Sequence, residues 1–308
     1  MASNLPRSFK KDSGLVSRMY FTMAMLGVLY AIFAIILLSF GVSLVFVGVV
    51  VGVMVLVQYL LSDKLILWST GAKEVSQQEE PQLHAIVEQL ARNAGMPKPK
   101  VAIIQSQVPN AFATGRNPKN SIVAVTTGIR ERLSDRELAG VIGHEMAHVR
   151  NRDMRVLAIA NFLVTMTSFL MTMLFWNMLF GGMGRSRDRN SGAGAIMLLY
   201  LITMVVYFIG QLLVLALTRY REYGADHGGA EISGDPGALA SALEKISGAM
   251  ARIPSEDLRK LQTASAFLLI PAQLKSDSVI QLFSTHPPVE DRIRRLRELE
   301  QRARFGMR

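Results

Sequence analysis

Residues 134–149 read Ser-Asp-Arg-Glu-Leu-Ala-Gly-Val-Ile-Gly-His-Glu-Met-Ala-His-Val, and the rest of the chain is best understood from this stretch. Ser134 followed three residues later by Glu137 is typical of the first turn of a helix. Apolar residues then recur at helical spacing, at Leu138, Val141, Ile142 and Val149. The pattern predicts one helix that contains both His144 and His148.

The H-E-M-A-H motif at 144–148 has the spacing of half a metal site. Two histidines four residues apart differ by about 40° around a helix axis, so both rings can reach one cation. Glu145 lies about 60° from His148 on the same side, where it can touch a water without binding the metal. Zinc lowers the pKa of such a water towards about 7, and a neighbouring carboxylate can take its proton. The motif therefore predicts Zn²⁺ with Glu145 as the general base.

A catalytic zinc needs a third protein ligand, and the residues after the motif do not supply a histidine. In one class of zinc site a glycine and a third histidine follow at fixed offsets, which hold Asn151 and Met154 here. Asp153 would lie about 180° from His144 on a straight helix, so it is expected to be exposed. The remaining histidines are His84, His227 and His286. A downstream Glu is the better candidate for the third ligand.

The segment 221–226, Arg-Glu-Tyr-Gly-Ala-Asp, offers that carboxylate. Glu222 and Asp226 share a helical face, which would let Glu222 bind zinc while Asp226 accepts the N–H of a ligating histidine. The alternative is a charge pair at a helix end with Arg219 or Arg221. His84 and His227 are interpreted as structural.

Three long stretches contain no Asp, Glu, Lys or Arg: residues 19–62, 156–184 and 190–218. A bilayer core of about 30 Å needs about 20 apolar helical residues, so the first stretch predicts two spans and the others one each. The turn between the first two is expected at Ser39-Phe40-Gly41. For the later two stretches, tilted, short or re-entrant helices remain an alternative.

Basic residues predict the orientation of these spans. Lysines and arginines precede the first span, at Arg7, Lys10, Lys11 and Arg18, which favours a cytoplasmic N-terminus. Four spans then return both polar regions to the cytoplasm. Arginines between the third and fourth spans argue against this topology, namely Arg185, Arg187 and Arg189.

Composition narrows the class of protein further. Of the 308 residues, 50% are hydrophobic and 19% charged, the formal net charge is +10, and cysteine is absent. The excess positive charge is concentrated in the N-terminal tail and the Arg-rich loop, where anionic lipid headgroups are the simplest partner. No basic stripe interleaved with aromatic residues indicates nucleic-acid binding. Without cysteine, disulfides and thiolate ligands are excluded.

The polar regions predict a small sheet among helices. Short β-branched or extended runs at 100–104, 110–115 and 121–126 suggest strands with hairpin connections. Helices are expected at 79–94, 222–232, 236–250 and 289–304.

Four motifs together make the chain resemble the HtpX family of bacterial membrane zinc endopeptidases, which is related to the CAAX prenyl protease. They are H-E-M-A-H at 144–148, R-E-Y-G-A-D at 221–226, N-A-F-A-T-G at 110–115 and S-T-H-P-P at 284–288. The resemblance implies an enzyme of the bacterial inner membrane that hydrolyses misfolded or damaged membrane proteins under heat stress. Its partners would be unfolded polypeptides and the lipid bilayer, and its oligomeric state is left open.

The resemblance also implies roles for individual residues. His144, His148 and Glu222 match the zinc ligands, Glu145 the base, and Asp226 a residue that supports a ligand. The strand that lays out substrate is matched by Asn110, Ala111, Phe112 and Ala113. His286 and Arg292 match positions near the reacting carbonyl.

The expected fold is mainly α, with four transmembrane helices, a small β-sheet and a cytoplasmic zincin-like (gluzincin) protease domain. Its segments are a basic cytoplasmic tail (1–18), two spans (19–61), the first part of the protease domain (62–155), two spans with a Gly/Arg-rich loop (156–218), and the second part of that domain (219–308). The rival interpretations are an adaptor that keeps zinc without turnover, a transporter, and a protease that processes prenylated peptides. Glu145 argues against the first, and the lack of ionisable residues in the spans argues against the second.

Overall fold

The computed structural model describes residues 13–115, 117–180, 189–250 and 287–305. Several residues singled out above lie outside these ranges: Arg7, Lys10, Lys11, Arg185, Arg187 and His286.

Helices dominate the described chain. In chain order they are α1 (Ser13–Ser39), α2 (Leu44–Thr70), α3 (Pro81–Ala94), α4 (Thr127–Arg132), α5 (Asp135–Arg150), α6 (Asp153–Phe180), α7 (Arg189–Ser233), α8 (Pro236–Met250) and α9 (Val289–Arg304). The predicted turn between the first two lies at Gly41, which has φ 72°. The predicted helix at 222–232 is the end of a longer helix, α7.

The described residues form two compact units. One comprises the described parts of 61–155 and 218–308, and the other comprises 17–60 and 156–217. Among the described residues, three helices are long and apolar enough to cross a membrane: Ser13–Ser39, Arg155–Phe180 and Gly194–Ser233. α2 contributes a shorter apolar stretch, Leu44–Val57.

The unit made of 17–60 and 156–217 has a narrow core and an apolar exterior. Its buried residues include Phe33, Leu37 and Val164. Large apolar side chains such as Trp176 and Phe208 are more than half exposed. Apolar surface on this scale is typical of a helix bundle that faces lipid.

The other unit contains a four-stranded mixed sheet. Its strands are β1 (Lys73–Glu74), β2 (Lys100–Ile104), β3 (Ala111–Thr114) and β4 (Ile122–Thr126), in the spatial order β1-β2-β4-β3. β3 pairs antiparallel with β4, as hairpin connections predict, but β2 pairs parallel with β4. The expectation of hairpins throughout was therefore wrong. The chain reverses twice between β2 and β4, so these two strands run the same way.

α5 is the central helix of this unit. It packs against α3, α8, β3 and β4, with Val141, Ile142 and Met146 fully buried. The buried residues of α5 include His144, Glu145 and Met146, whereas Asp135 and Arg136 at its start are exposed. The motif at 144–148 is therefore placed on a rigid element.

Candidate metal centre

The start of α5 is fixed by the predicted capping box. Ser134 N–H donates to Glu137 Oε2 at 2.9 Å, and the Ser134 side chain accepts from the backbone of Glu137. Lys245 Nζ and Ser241 Oγ on α8 also donate to the Glu137 carboxylate, at 2.7 and 2.6 Å. Burial raises the pKa of Glu137, but these donors outweigh it and lower the pKa to about 2. One carboxylate thus caps α5 and ties it to α8.

α5 and α7 approach each other closely at glycines. A Cβ on Gly229 would lie 2.6 Å from the backbone nitrogen of His144, and one on Gly143 would lie 3.0 Å from the carbonyl oxygen of Gly229. Only residues without side chains allow this separation. The two helices that carry the predicted ligands are thereby brought into backbone contact.

Three predicted residues converge beyond that crossing. His144 Nε2 lies 3.7 Å from Glu222 Oε2, and His148 Nε2 lies 3.4 Å from Glu222 Oε1. One ligand atom from each of the three residues lies within 4.8 Å of the others, so the group could hold a metal ion. His144 and Glu222 are buried, and His148 is partly exposed. Two imidazoles and a carboxylate are a donor set that suits zinc.

His144 is backed by what we call the inner support, Asp226 and Arg292. Asp226 Oδ1 lies 2.9 Å from His144 Nδ1. Arg292 Nε and Nη2 donate to the two oxygens of the same carboxylate at 2.9 and 2.7 Å. Burial raises the pKa of Asp226, yet the charge of Arg292 and the bond to His144 outweigh it and bring the pKa to about 2. Asp226 is therefore ionised and can accept the proton on His144 Nδ1.

His148 is backed by a second pair, which we call the outer support, Asp153 and Arg221. Asp153 Oδ2 lies 2.6 Å from His148 Nδ1, and Arg221 Nη2 lies 3.0 Å from the same oxygen. Asp153 is only 7% exposed, so the expectation that it faces solvent was wrong. The helix is not straight: α5 ends before Arg152, whose φ is 57°, and the corner turns Asp153 back towards His148.

Glu145 lies between the histidines and the edge of the sheet. It is buried, and its Oε2 accepts a hydrogen bond from Ala113 N–H at 3.1 Å. β3 is the last strand in the sheet order, so its outer edge faces away from β4. Asn110 bonds inward, exchanging hydrogen bonds with Thr126 at the end of β4. The strand predicted to lay out substrate, at Asn110, Ala111, Phe112 and Ala113, therefore runs beside Glu145.

The other residues considered from the sequence are Arg292, His286 and His84. Arg292 is 1% exposed, and its Nη1 lies 3.5 Å from Glu222 Oε2. Its guanidinium is thus directed at the carboxylates of the centre. His286 lies outside the described residues. His84 Nε2 donates to the Val75 carbonyl oxygen at 2.9 Å, which fits the structural role expected for it.

Sequence reasoning missed the outer support. The sequence predicts an exposed Asp153, and Arg221 only as a possible partner of nearby acids. An arginine directly before the predicted ligand Glu222, together with an acid five residues after His148, is the available signal. That signal could be used only by allowing a break after α5.

A comparison with known protein families identifies the family of this chain. A model of peptidase family M48 matches residues 77–300, which contain all the residues of the centre described above. The chain belongs to peptidase family M48. It is a metallopeptidase with apolar helices of membrane-spanning length, and the prediction of a membrane metalloprotease is confirmed.

Two relatives of this M48 peptidase match it along almost its whole length. "Protease HtpX homolog" of Moorella thermoacetica is 52% identical over 296 residues, covering 96% of this chain and 97% of the relative. "Protease HtpX homolog 2" of Methanosarcina mazei is 47% identical over 297 residues, covering 96% and 99%. The resemblance to the HtpX family is therefore confirmed.

A solved structure shares the fold. The crystal structure of S. mikatae Ste24p superposes with a TM-score of 0.57 at 17% identity, over 92% of this chain and 65% of that one. At this identity the likeness concerns the fold alone. The M48 peptidase spans about two thirds of the length of Ste24p, so the larger protein has substantial structure with no counterpart here.

Proposed function

We propose that this M48 peptidase is a zinc-dependent endopeptidase. His144, His148 and Glu222 hold one Zn²⁺ per subunit, and Glu145 is the general base. The observation that carries the proposal is the orientation of the two rings: each Nδ1 faces a carboxylate, Asp226 or Asp153, so each Nε2 is directed at Glu222. Histidine ligands of zinc are oriented by such partners.

The residues divide the work of hydrolysis. Zinc, when bound, would polarise the scissile carbonyl and lower the pKa of a water, so that this water can lose a proton and attack at neutral pH. The Glu145 carboxylate takes the proton from the attacking water and later delivers it to the nitrogen of the leaving amine. The positive charge of Arg292 beside Glu222 favours the oxyanion that develops on the carbonyl, a role that His286 would share. No covalent intermediate with the protein is required.

Substrate is proposed to bind as an extra strand along β3. Backbone pairing along the strand that holds Asn110, Ala111, Phe112 and Ala113 would recognise an extended peptide without demanding particular side chains, with Asn110 itself bonded to Thr126. In this structure Ala113 N–H is bonded to Glu145. The scissile bond of a peptide on this edge would therefore lie close to the base.

We further propose a location at the bacterial inner membrane. α2 would be the fourth span, although its apolar stretch is shorter than those of the other three. The active site would face the cytoplasm, and misfolded or damaged membrane proteins would be the substrates. A tag placed at residues 185–189 should then be cut only by protease added from the outer side. A tag cut only from the cytoplasmic side contradicts four spans.

The test of the reaction compares the parent with Glu145→Gln after purification in detergent under chelation and addition of zinc. Casein digestion should fall by about 100-fold or more in this variant, while its zinc content equals that of the parent. Glu131→Gln, which changes an exposed glutamate on α4, should digest at the parental rate. Equal digestion by Glu145→Gln and the parent would contradict the assigned base. A parent that binds zinc but digests nothing would favour an adaptor.

A further inference from the structure

The outer support is built around a break in the helix that carries the motif. α5 ends at Arg150, Arg152 adopts the left-handed conformation with φ 57°, and α6 begins at Asp153. A non-glycine residue rarely takes this conformation unless its surroundings hold it there. Five residues after His148, a continuous helix would place Asp153 about 140° away around the axis. The corner instead brings the two side chains to 2.6 Å.

We propose that Asp153 and Arg221 are positioning residues for His148, which fix the ring nitrogen that it presents to the metal. The inference rests on the zinc site proposed above. A carboxylate that accepts the proton of His148 Nδ1 leaves the lone pair on Nε2, the nitrogen that faces Glu222 at 3.4 Å. His148 is the less buried of the two histidines, so packing alone restrains its ring less than that of His144.

Arg221 is placed to hold Asp153, and the charge of the neighbouring Glu222 also acts on it. Its side chain is 5% exposed, and Nη2 bonds to Asp153 at 3.0 Å. Its Nε and Nη1 make no hydrogen bond to any residue that the structure describes. The ion pair with Asp153 gives this buried guanidinium a role at the centre, because a carboxylate fixed from a second side cannot rotate away from His148.

The position of Arg221 in the chain ties this support to the third ligand. Arg221 directly precedes Glu222 on α7, while Asp153 begins α6. The single ion pair therefore fixes the ring of His148 relative to the turn of α7 that supplies Glu222. Displacing either residue of the pair would loosen two of the three ligands together.

The test measures metal affinity in the full-length protein in detergent. Zinc affinity is determined by competition with a chelator, and the site geometry by the visible spectrum of the Co²⁺-loaded protein. Asp153→Asn and Arg221→Met should each bind zinc about 10- to 100-fold more weakly and shift the Co²⁺ bands. Asp153→Glu, which keeps a carboxylate, should retain more affinity than Asp153→Asn.

Arg150→Gln is the matched control. Arg150 also joins α5 to α7, through Glu231 at 2.9 Å, but it does not contact a ligand. Its loss should leave zinc affinity and the Co²⁺ spectrum unchanged. Thermal unfolding of each metal-free variant shows whether the pair acts only on the fold.

Two outcomes would overturn the inference. Parental zinc affinity in Asp153→Asn and Arg221→Met, with or without a lower melting temperature, would assign the pair a purely structural role. Weakening of the same size in Arg150→Gln would show that any loss of an α5–α7 ion pair is sufficient. A parent protein that binds no zinc would instead refute the proposed function itself.

Discussion

The two histidines of the centre are supported in the same chemical way but in different surroundings. His144 is 1% exposed, and its inner support joins the two oxygens of Asp226 to Nε and Nη2 of Arg292. His148 is 22% exposed, and its outer support has one bond from Arg221 to Asp153. The inner support depends on three helices, α5, α7 and α9, whereas the outer one depends on α7 and a corner of the chain. Deep burial thus goes with two bonds, and partial exposure with one.

This difference predicts how each support should respond to substitution. Removing the partner of a fully buried charge costs the most folding free energy, because no water can replace that partner. A partly exposed ring can be solvated when its support is lost. Substitutions in the inner support should therefore have the larger effect on both stability and metal binding.

The largest effect is expected for Arg292→Met. It leaves the Asp226 carboxylate buried without its main counter-charge, which should lower the free energy of unfolding by about 3–5 kcal/mol. Arg221→Met should cost less, about 1–3 kcal/mol, because fewer of its donors are satisfied in the native state. Chemical unfolding of the metal-free proteins in detergent measures both.

Arg297→Met controls for the loss of an arginine from α9. Its side chain is 40% exposed and pairs with Glu244 and Glu300, so the loss should be below about 1 kcal/mol. A larger loss of unfolding free energy for Arg221→Met than for Arg292→Met would show that the outer support contributes more to stability than the inner support.

Substitution of Asp226 should weaken metal binding more than substitution of Asp153, in the same order as the effects on stability. Asp226→Asn is expected to weaken zinc binding about 100-fold and Asp153→Asn nearer to about 10-fold, at the two ends of the range for residues that orient a ligand. Chelator competition at neutral pH gives both values. If Asp153→Asn has the greater effect, exposure of His148 makes its support more necessary instead of less.

Gly229→Ala tests the helix contact beneath the inner half. The new methyl group would meet the backbone of His144, so α5 and α7 must separate, at a cost of about 1–3 kcal/mol. Gly224→Ala is the control on the same helix, because its Cβ would meet nothing within 4 Å. It should stabilise the protein by about 0.5–1 kcal/mol through helix propensity. Thermal melting of the pair would contradict this account if both variants shifted in the same direction.

The smallest effect is expected at Glu137, which holds the start of α5, the helix that carries both His144 and His148. Its folded pKa of about 2 lies below its usual value of 4.5. The stabilisation is therefore complete above about pH 4.5 and is lost as pH falls towards about 2. Glu137→Gln should cost about 1–2 kcal/mol at pH 6 and less at pH 3. A constant difference in unfolding free energy between pH 6 and pH 3 would show that the charge of Glu137 does not matter.

Local patterns were enough to predict much of the fold. The Ser134–Glu137 capping box and the turn at Gly41 each occur where the sequence indicates them. These features depend on residues within one or two turns of each other. The convergence of His144, His148 and Glu222 followed from the chemistry of a zinc site rather than from local pattern.

The remainder required tertiary information. Strand β1 has only two residues, too few for a periodic signal, and the parallel pairing of β2 with β4 depends on where the intervening chain runs. The misjudged exposure of Asp153 came from extending α5 through Arg152. An arginine gives no local warning of a left-handed conformation, as a glycine would.

The corner at Arg152 also bears on how the two halves could be rebuilt in another protein. Within 144–153, one continuous peptide contains two proposed ligands, the proposed base and the carboxylate of the outer support. A designer could transplant that peptide as a cassette, needing only a facing helix with an Arg-Glu pair. The inner support has no such portability, because its aspartate and arginine come from distant parts of the chain.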